Sequence, residues 1–219
     1  MQVDKWQGQL LSAEEFDQME DLYRPLAQAV RELIDATVRT GADEETIRAA
    51  TEAIQAVTEM LKPLSSHGWQ AIRHADTGRP VLFTNPAAGQ RNPIAPPMVV
   101  HHEPDGRCWS EFVLGAAYEG PPGTVHGGIA ALVLDQLLGE AATSGLTKPK
   151  FTGTISLRYL RGTPLGALHA QAYVDRTDGH KTYARGVISD AQGPTVEAEG
   201  IFIMPVWARE RSDVGTVTE

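Results

Sequence analysis

Residues 129 to 142, IAALVLDQLLGEAA, have only Asp135, Gln136 and Glu140 as polar members, and they follow directly on a turn-forming stretch, Gly120-Pro121-Pro122-Gly123-Thr124-Val125-His126-Gly127-Gly128. A run of this length predicts a helix. Being apolar on nearly every side, it predicts a helix wrapped by other elements rather than one lying on a surface. Its polar residues differ in their company. At helical spacing Asp135 has Ala131, Leu132, Leu138 and Gly139 as neighbours, all apolar. Gln136 and Glu140 lie four apart and share an edge with Thr143, where solvent or a partner satisfies them. A carboxylate in an apolar stripe is costly unless something pairs with it or uses it, so Asp135 is singled out as a functional candidate, its pKa expected to be raised by apolar surroundings. The competing reading is a structural carboxylate, hydrogen-bonded across a dimer interface.

The start of the helix carries a second signal. The first N–H groups of a helix have no partner inside it, and the helix dipole gathers positive potential there. Gly127 and Gly128 let a ligand oxygen approach the backbone without meeting a Cβ, which makes this turn a candidate oxyanion site.

Upstream, Ser12 to Thr40 reads as a helix opened by the capping box Ser12-Ala13-Glu14-Glu15, with Phe16, Met19, Leu22, Leu26, Val30, Leu33 and Val38 at helical spacing. Pro25 is expected to kink or divide it. A second helix begins at Asp43, carries Ile47, Ala50, Ile54, Val57 and Leu61 on one face, and is ended by Pro63. The short link between them predicts an antiparallel helical hairpin, read as a packing or oligomerisation element, with a lid over a substrate pocket as the alternative. Prolines at 63, 80, 86, 93, 96 and 97 mark a mainly irregular connector with a short strand at Val81-Leu82-Phe83. Strands are expected at Met98–Glu103 and Arg107–Tyr118, around the turn Pro104-Asp105-Gly106, and after the long helix at Phe151–Leu160, Ala167–Val174, Thr182–Ser189 and Thr195–Met204. Two strands, one buried helix and four more strands predict an α+β domain, a curved antiparallel sheet around a central helix. The expected division is residues 1–62, helical hairpin; 63–97, connector; 98–208, sheet-and-helix domain; and 209–219, a frayed tail.

The chain has 219 residues, 42% of them hydrophobic, a net charge of −9 and a pI near 5.3. That balance argues against nucleic acid or an anionic membrane as partner, so an anionic ligand must be met by a local basic patch. One cysteine, Cys108, excludes an internal disulfide and fits a reducing cytoplasm. No leader or membrane span is read, and the protein is expected to be soluble. His101 and His102 point to opposite faces of a strand, and no group of residues has metal-ligand spacing. Neither a nucleophile elbow nor a P-loop is present, and Cys108 reads as core.

The turn Gly120-Pro121-Pro122-Gly123-Thr124-Val125-His126-Gly127-Gly128, with aspartate nine residues after the histidine, set in this element order, resembles the hotdog-fold acyl-CoA thioesterases. The likeness covers about Pro93 to Pro205 and is nearest to the phenylacetate-pathway thioesterases and the thioesterase superfamily members. It implies a hotdog fold, a CoA thioester as substrate and no cofactor. It also implies that the Gly127 N–H polarises the thioester carbonyl and that Asp135 is general base or nucleophile. Thr152 would help to place the attacking water, with Thr154 as its rival, and His126 would shape the turn and contact substrate beside Gly128. Many relatives carry an asparagine shortly before the histidine; here the region is Tyr118-Glu119-Gly120, leaving Glu119 as a substitute. Cations for the CoA phosphates are sought in Arg158, Arg161, Arg176 and Lys181.

Helix geometry adds a constraint. Nine residues span about 13.5 Å of rise, so His126 and Asp135 of one chain cannot act on one small group. A two-fold dimer joins Asp135 of one subunit to the Gly127 turn of the other, as a homodimer or a dimer of dimers. The competing functions are a non-catalytic acyl-CoA-binding hotdog module and a hotdog hydratase, whose usual Asp/His pairing has no match here.

Overall fold

The first long helix starts where Ser12 supplies its cap. Its Oγ accepts from Glu15 N (3.2 Å), while Glu15 Oε2 accepts from Ser12 N (2.8 Å), closing the expected capping box. In the computed structural model, which describes residues 9–62 and 72–213, this helix, α1 (Ala13–Arg39), follows a short strand β1 (Gln9–Leu11). α1 runs unbroken through Pro25. The proline removes one backbone donor, but both flanks are held: Phe16 and Met19 pack with Leu11, Val81 and Phe83, and Asp35 Oδ1 accepts from Ala116 N at 2.9 Å.

The second helix, α2 (Glu44–Leu61), is capped by Asp43, whose Oδ1 accepts from Thr46 N at 2.9 Å. Both helices form as read, but they do not pack on each other into a closed hairpin, and α2 buries none of its residues. Thr40 is extended (φ −62°, ψ 137°), which ends α1. Pro63 lies outside the described residues.

The strand expected at Val81–Phe83 is not formed. Instead β2 (Ile72–His74) pairs parallel with β1, and Val81 N donates to Ile72 O at 2.9 Å while Val81 and Phe83 are buried under α1. The proline-rich stretch that follows is packed down: Ala95 is fully buried, and its carbonyl accepts from the Tyr118 hydroxyl at 2.9 Å.

The main sheet is antiparallel and six-stranded, ordered β3-β4-β6-β7-β8-β5, with β3 (His101–His102), β4 (Cys108–Leu114), β5 (Phe151–Tyr159), β6 (Gly166–Asp178), β7 (Lys181–Asp190) and β8 (Gly193–Ile203). The expected Met98–Glu103 strand contracts to two residues, and β4 ends in a 3-10 turn at Ala116–Tyr118. Gly106 takes φ +87° in the β3–β4 turn, which a side chain would strain. α3 (Gly127–Ala142) packs on β4 through β8, giving the α+β hotdog arrangement. Val133, Leu134, Leu137 and Leu138 are completely enclosed, each stabilising the fold by roughly 2 kcal/mol. The strands meet them with Ala170, Ala172, Ala184, Gly186 and Ala198, small enough to let the helix approach; a Cβ on Gly186 would stand 3.2 Å from Leu134 Cδ2. A final helix, α4 (Val206–Asp213), closes the described chain. No helix among the described residues is long and apolar enough to cross a membrane.

Candidate active site

The turn into α3 is built by its own residues. Gly123, at φ +74°, donates to Glu119 Oε1 at 2.6 Å, and Gly120 N donates to Thr124 O at 2.9 Å. A Cβ on Gly120 would lie 2.8 Å from His126 Cα, so the turn admits no side chain there. Glu119 is thus engaged in holding the Pro-Gly turn. His126 is the N-cap of α3: its Nδ1 accepts from Gly128 N at 3.0 Å, which places the ring proton on Nε2. Ile129 and Ala130 donate to His126 O at 2.9 and 3.3 Å. Among the described residues only the Gly127 N–H of this first turn finds no acceptor, and it sits at the positive end of a 16-residue helix. The N–H of Gly128, also expected at the site, is taken by His126.

Tyr159 completes the turn and was not singled out by the sequence. Its hydroxyl donates to Gly127 O at 2.9 Å, and its ring would crowd any Cβ on Gly127 (3.2–3.3 Å). The signal was the strand pattern that places Tyr159 on the helix side of β5, yet 54% of the residue is exposed, unlike a core tyrosine.

Asp135 lies eight residues further along α3, about 12 Å from Gly127 by helix rise. Thr152 Oγ1 donates to its Oδ1 at 2.9 Å, and Oδ2 takes no hydrogen bond from the described residues. Thr154 makes no such bond. The β5–β8 register shifts between Thr152 and Thr154, with Gly153 as the extra residue, and this bulge sets which threonine meets the helix. Asp135 sits half-buried beside Ala131 and Leu132, on the flank of α3 that meets the edge strand β5. One chain therefore presents an oxyanion donor and a carboxylate that cannot reach the same atom.

The carboxylate enclosed in α3 is a different one. Glu140 is 5% exposed, and Thr143 is buried with it, so the edge expected to face solvent or a partner is interior. β3 brings His102 to the C-terminal half of α3, where its Nε2 lies 2.7 Å from Glu140 Oε2; Gln136 Nε2 donates to Glu140 Oε1 at 2.9 Å. Cys108 lies alongside, its Sγ 3.2 Å from Leu137 O, and burial together with the charge on Glu140 pushes its thiol up to about 12. It is core, as read.

The expected cations divide. Arg161 forms a two-pronged pair with Asp190 (2.8 Å for Nη1) and donates to Gly193 O at 2.8 Å, tying the end of β5 to the β7–β8 turn. Arg176 is engaged with Asp175 (3.0 Å) and stacks over Tyr183 (3.8 Å). Arg158 and Lys181 are exposed and make no ion pair among the described residues, so they are the cations of this set open to a phosphate. The Arg161 hydrogen bonds hold the Asp190 carboxyl down to about 2. A depressed carboxylate stabilises the fold above its unfolded value of 3.8 and ceases to do so as pH falls through the folded value. In thermal melts, the difference between wild type and Asp190→Asn is expected to be full at pH 5–7 and to shrink between about pH 4 and 2. A difference unchanged down to pH 2 would remove the pair from the acid response.

Comparison with known proteins places this architecture. The model of the thioesterase superfamily matches residues 122–197, from the Pro-Gly turn into β8. The crystal structure of a thioesterase superfamily protein is 32% identical, with TM-score 0.74, over 83% of this chain and 94% of that one. The chain belongs to the thioesterase superfamily. Structures with lower likeness include a thioesterase described as a phenylacetic acid degradation-related protein from Ralstonia eutropha (22% identity, TM-score 0.46, 49% of this chain and 84% of that one). Another is a hypothetical thioesterase protein with coenzyme A from Streptococcus pneumoniae (17% identity, TM-score 0.46, 49% and 85%). No curated protein matches the chain.

Proposed function

We propose that this thioesterase superfamily chain hydrolyses an acyl-CoA thioester to the free acid and CoA, in a site assembled from two subunits. The observation that carries the reading is the Thr152–Asp135 hydrogen bond, which leaves one carboxylate oxygen open on the flank of α3 beside the edge strand β5. The thioester carbonyl oxygen takes the Gly127 N–H of one subunit, where negative charge develops as the carbonyl carbon becomes tetrahedral. Asp135 of the other subunit removes a proton from water as it attacks, or attacks the carbon itself to give a mixed anhydride that water then cleaves. Either way the C–S bond breaks, the sulfur leaves and takes up a proton, and Thr152 holds the carboxylate. The half-covered stripe of Ile129, Ala131 and Leu132 and the open edge of β5 support pairing of two copies along this side. Arg158 and Lys181 are assigned to the CoA phosphates. The setting is a reducing cytoplasm.

A thiol-release assay over acyl-CoAs of graded chain length, with an aromatic member, tests the reading. Turnover of at least one ester is the expected result. Tight CoA-ester binding with no thiol release from any would instead identify a binding module. Single-turnover hydrolysis in labelled water separates the two chemistries: label in the Asp135 side chain marks direct attack.

A further inference from the structure

α2 is 18 residues long and buries nothing among the described residues. Its sides are sharply divided. Ile47, Ala50, Ile54 and Val57 recur at steps of three and four, with Ala53 and Met60 alongside, while Glu45, Arg48, Glu52, Gln55 and Glu59 occupy the other side. Ile47, Ile54, Val57 and Met60 are between 40% and 76% exposed. α1 carries a second open seam, Leu22, Leu26, Ala29 and Leu33, well round the helix from Ala27, the residue it buries against the body. Both seams have the alternating spacing that lets helices interdigitate. Among the described residues the two helices do not pack closely on each other within one chain. A helix of this length owes its stability mainly to packing of its apolar face, and the seam from Ile47 to Val57 has no such cover among the described residues.

We propose that the two seams are covered by a second copy of this chain, α2 of each copy lying along α1 of the other. The surfaces match in kind: the positions flanking the α2 seam, Thr46, Thr51, Ala53, Thr58 and Met60, are uncharged, so they accept Glu32 and Arg39 beside the α1 seam without like-charge opposition. The glutamate-rich outer side of α2 opposes an anionic lipid surface, which selects basic faces. Exchange is reciprocal, so each pairing makes the helix contact twice. Two contacts about 20 Å long together bury on the order of 1,600 Å², the size of a standard stable interface. This assembly is independent of thioester chemistry and of the pairing along α3.

Disulfide trapping tests it. In an antiparallel helix pair about the Thr40–Asp43 link, Ala29 faces Ile54. Chains carrying Ala29→Cys, coexpressed with chains carrying Ile54→Cys and mildly oxidised, are expected to give a covalent heterodimer on a non-reducing gel, with the buried Cys108 silent. The double variant is expected to give covalent dimers; a covalently closed monomer would overturn the proposal, because it would mean that α2 folds back on its own α1. No cross-link in either experiment would overturn it as well. Independently, Ile54→Glu with Val57→Glu is expected to lower the mass seen by analytical ultracentrifugation at least twofold while circular dichroism stays near wild type. An unchanged mass, or flotation of wild type but not the double variant with phosphatidylserine vesicles, would also sink it.

Discussion

Asp135→Asn is expected to lower kcat for thioester hydrolysis by roughly 10²- to 10⁴-fold, the range over which a positioned acid or base contributes, with little change in affinity for the CoA ester. The substitution keeps the size of the side chain and leaves an oxygen able to accept from Thr152, so the fold is spared. What it removes is the capacity to take a proton or to form an anhydride. Because Asp135 is half-buried and already solvated on one side, the change creates no orphaned charge in the core. Stopped-flow thiol release together with a binding measurement separates the two effects. A variant that retains more than half of wild-type kcat would show that Asp135 has only a structural role.

The second large effect is expected from Gly127→Pro. Proline is favoured at the first position of a helix, where its missing N–H would have no helical acceptor. The preceding residue, His126, already has the extended backbone (φ −60°, ψ 133°) that proline requires of its neighbour. The variant therefore deletes the single open N–H of the turn with little disturbance, and a loss of about 10²- to 10³-fold in kcat follows from removing an oxyanion donor. Tyr159 is the one obstacle, since any side chain at this position meets its ring. Gly127→Ala crowds the tyrosine equally but keeps the N–H, and should retain most of the activity. The same variant tests whether the site is shared. When inactive Asp135→Asn and Gly127→Pro chains are mixed and exchange freely, half of the dimers are mixed, and each of these holds one intact pairing of Gly127 with the other copy's Asp135. Recovery to about a quarter of wild-type activity is expected. No recovery with proven exchange would place each site within one subunit.

Much of this was legible because the central helix has an unusual composition. Its apolarity declares burial, Gly127 and Gly128 mark its start, and Asp135 stands out against the residues around it. The order of strands was readable from their alternation and turns. Other features depended on contacts that no local pattern encodes. Glu140 looked like a surface residue because its partner, His102, arrives from a strand 38 positions away. Pro25 looked like a break, but packing on both sides of it outweighs the one hydrogen bond it removes. Val81 and Phe83 have the composition of a strand, yet they serve as plugs beneath α1, and the backbone pairing goes to Ile72–His74 instead. Arg161 has the position of a phosphate ligand but is claimed by Asp190, a partner visible only once β7 and β8 fold back. Tyr159 was missed because the strand pattern that places it gives no hint of the Gly127 carbonyl it reaches.

The strand β5 has a further property as a single part. Thr152, near one end, holds Asp135; Tyr159, at the other, holds the Gly127 turn, and the bulge at Gly153 pins the whole strand against β8. Side chains alternate faces along a strand, so a shift of one residue turns every contact away from the helix. A deletion between Thr154 and Arg158 would therefore leave an intact count of strands and helices while forcing a choice between the two ends. β5 works as a ruler eight residues long, from Thr152 to Tyr159, and a change in its length is expected to disturb the site more than a substitution between its ends.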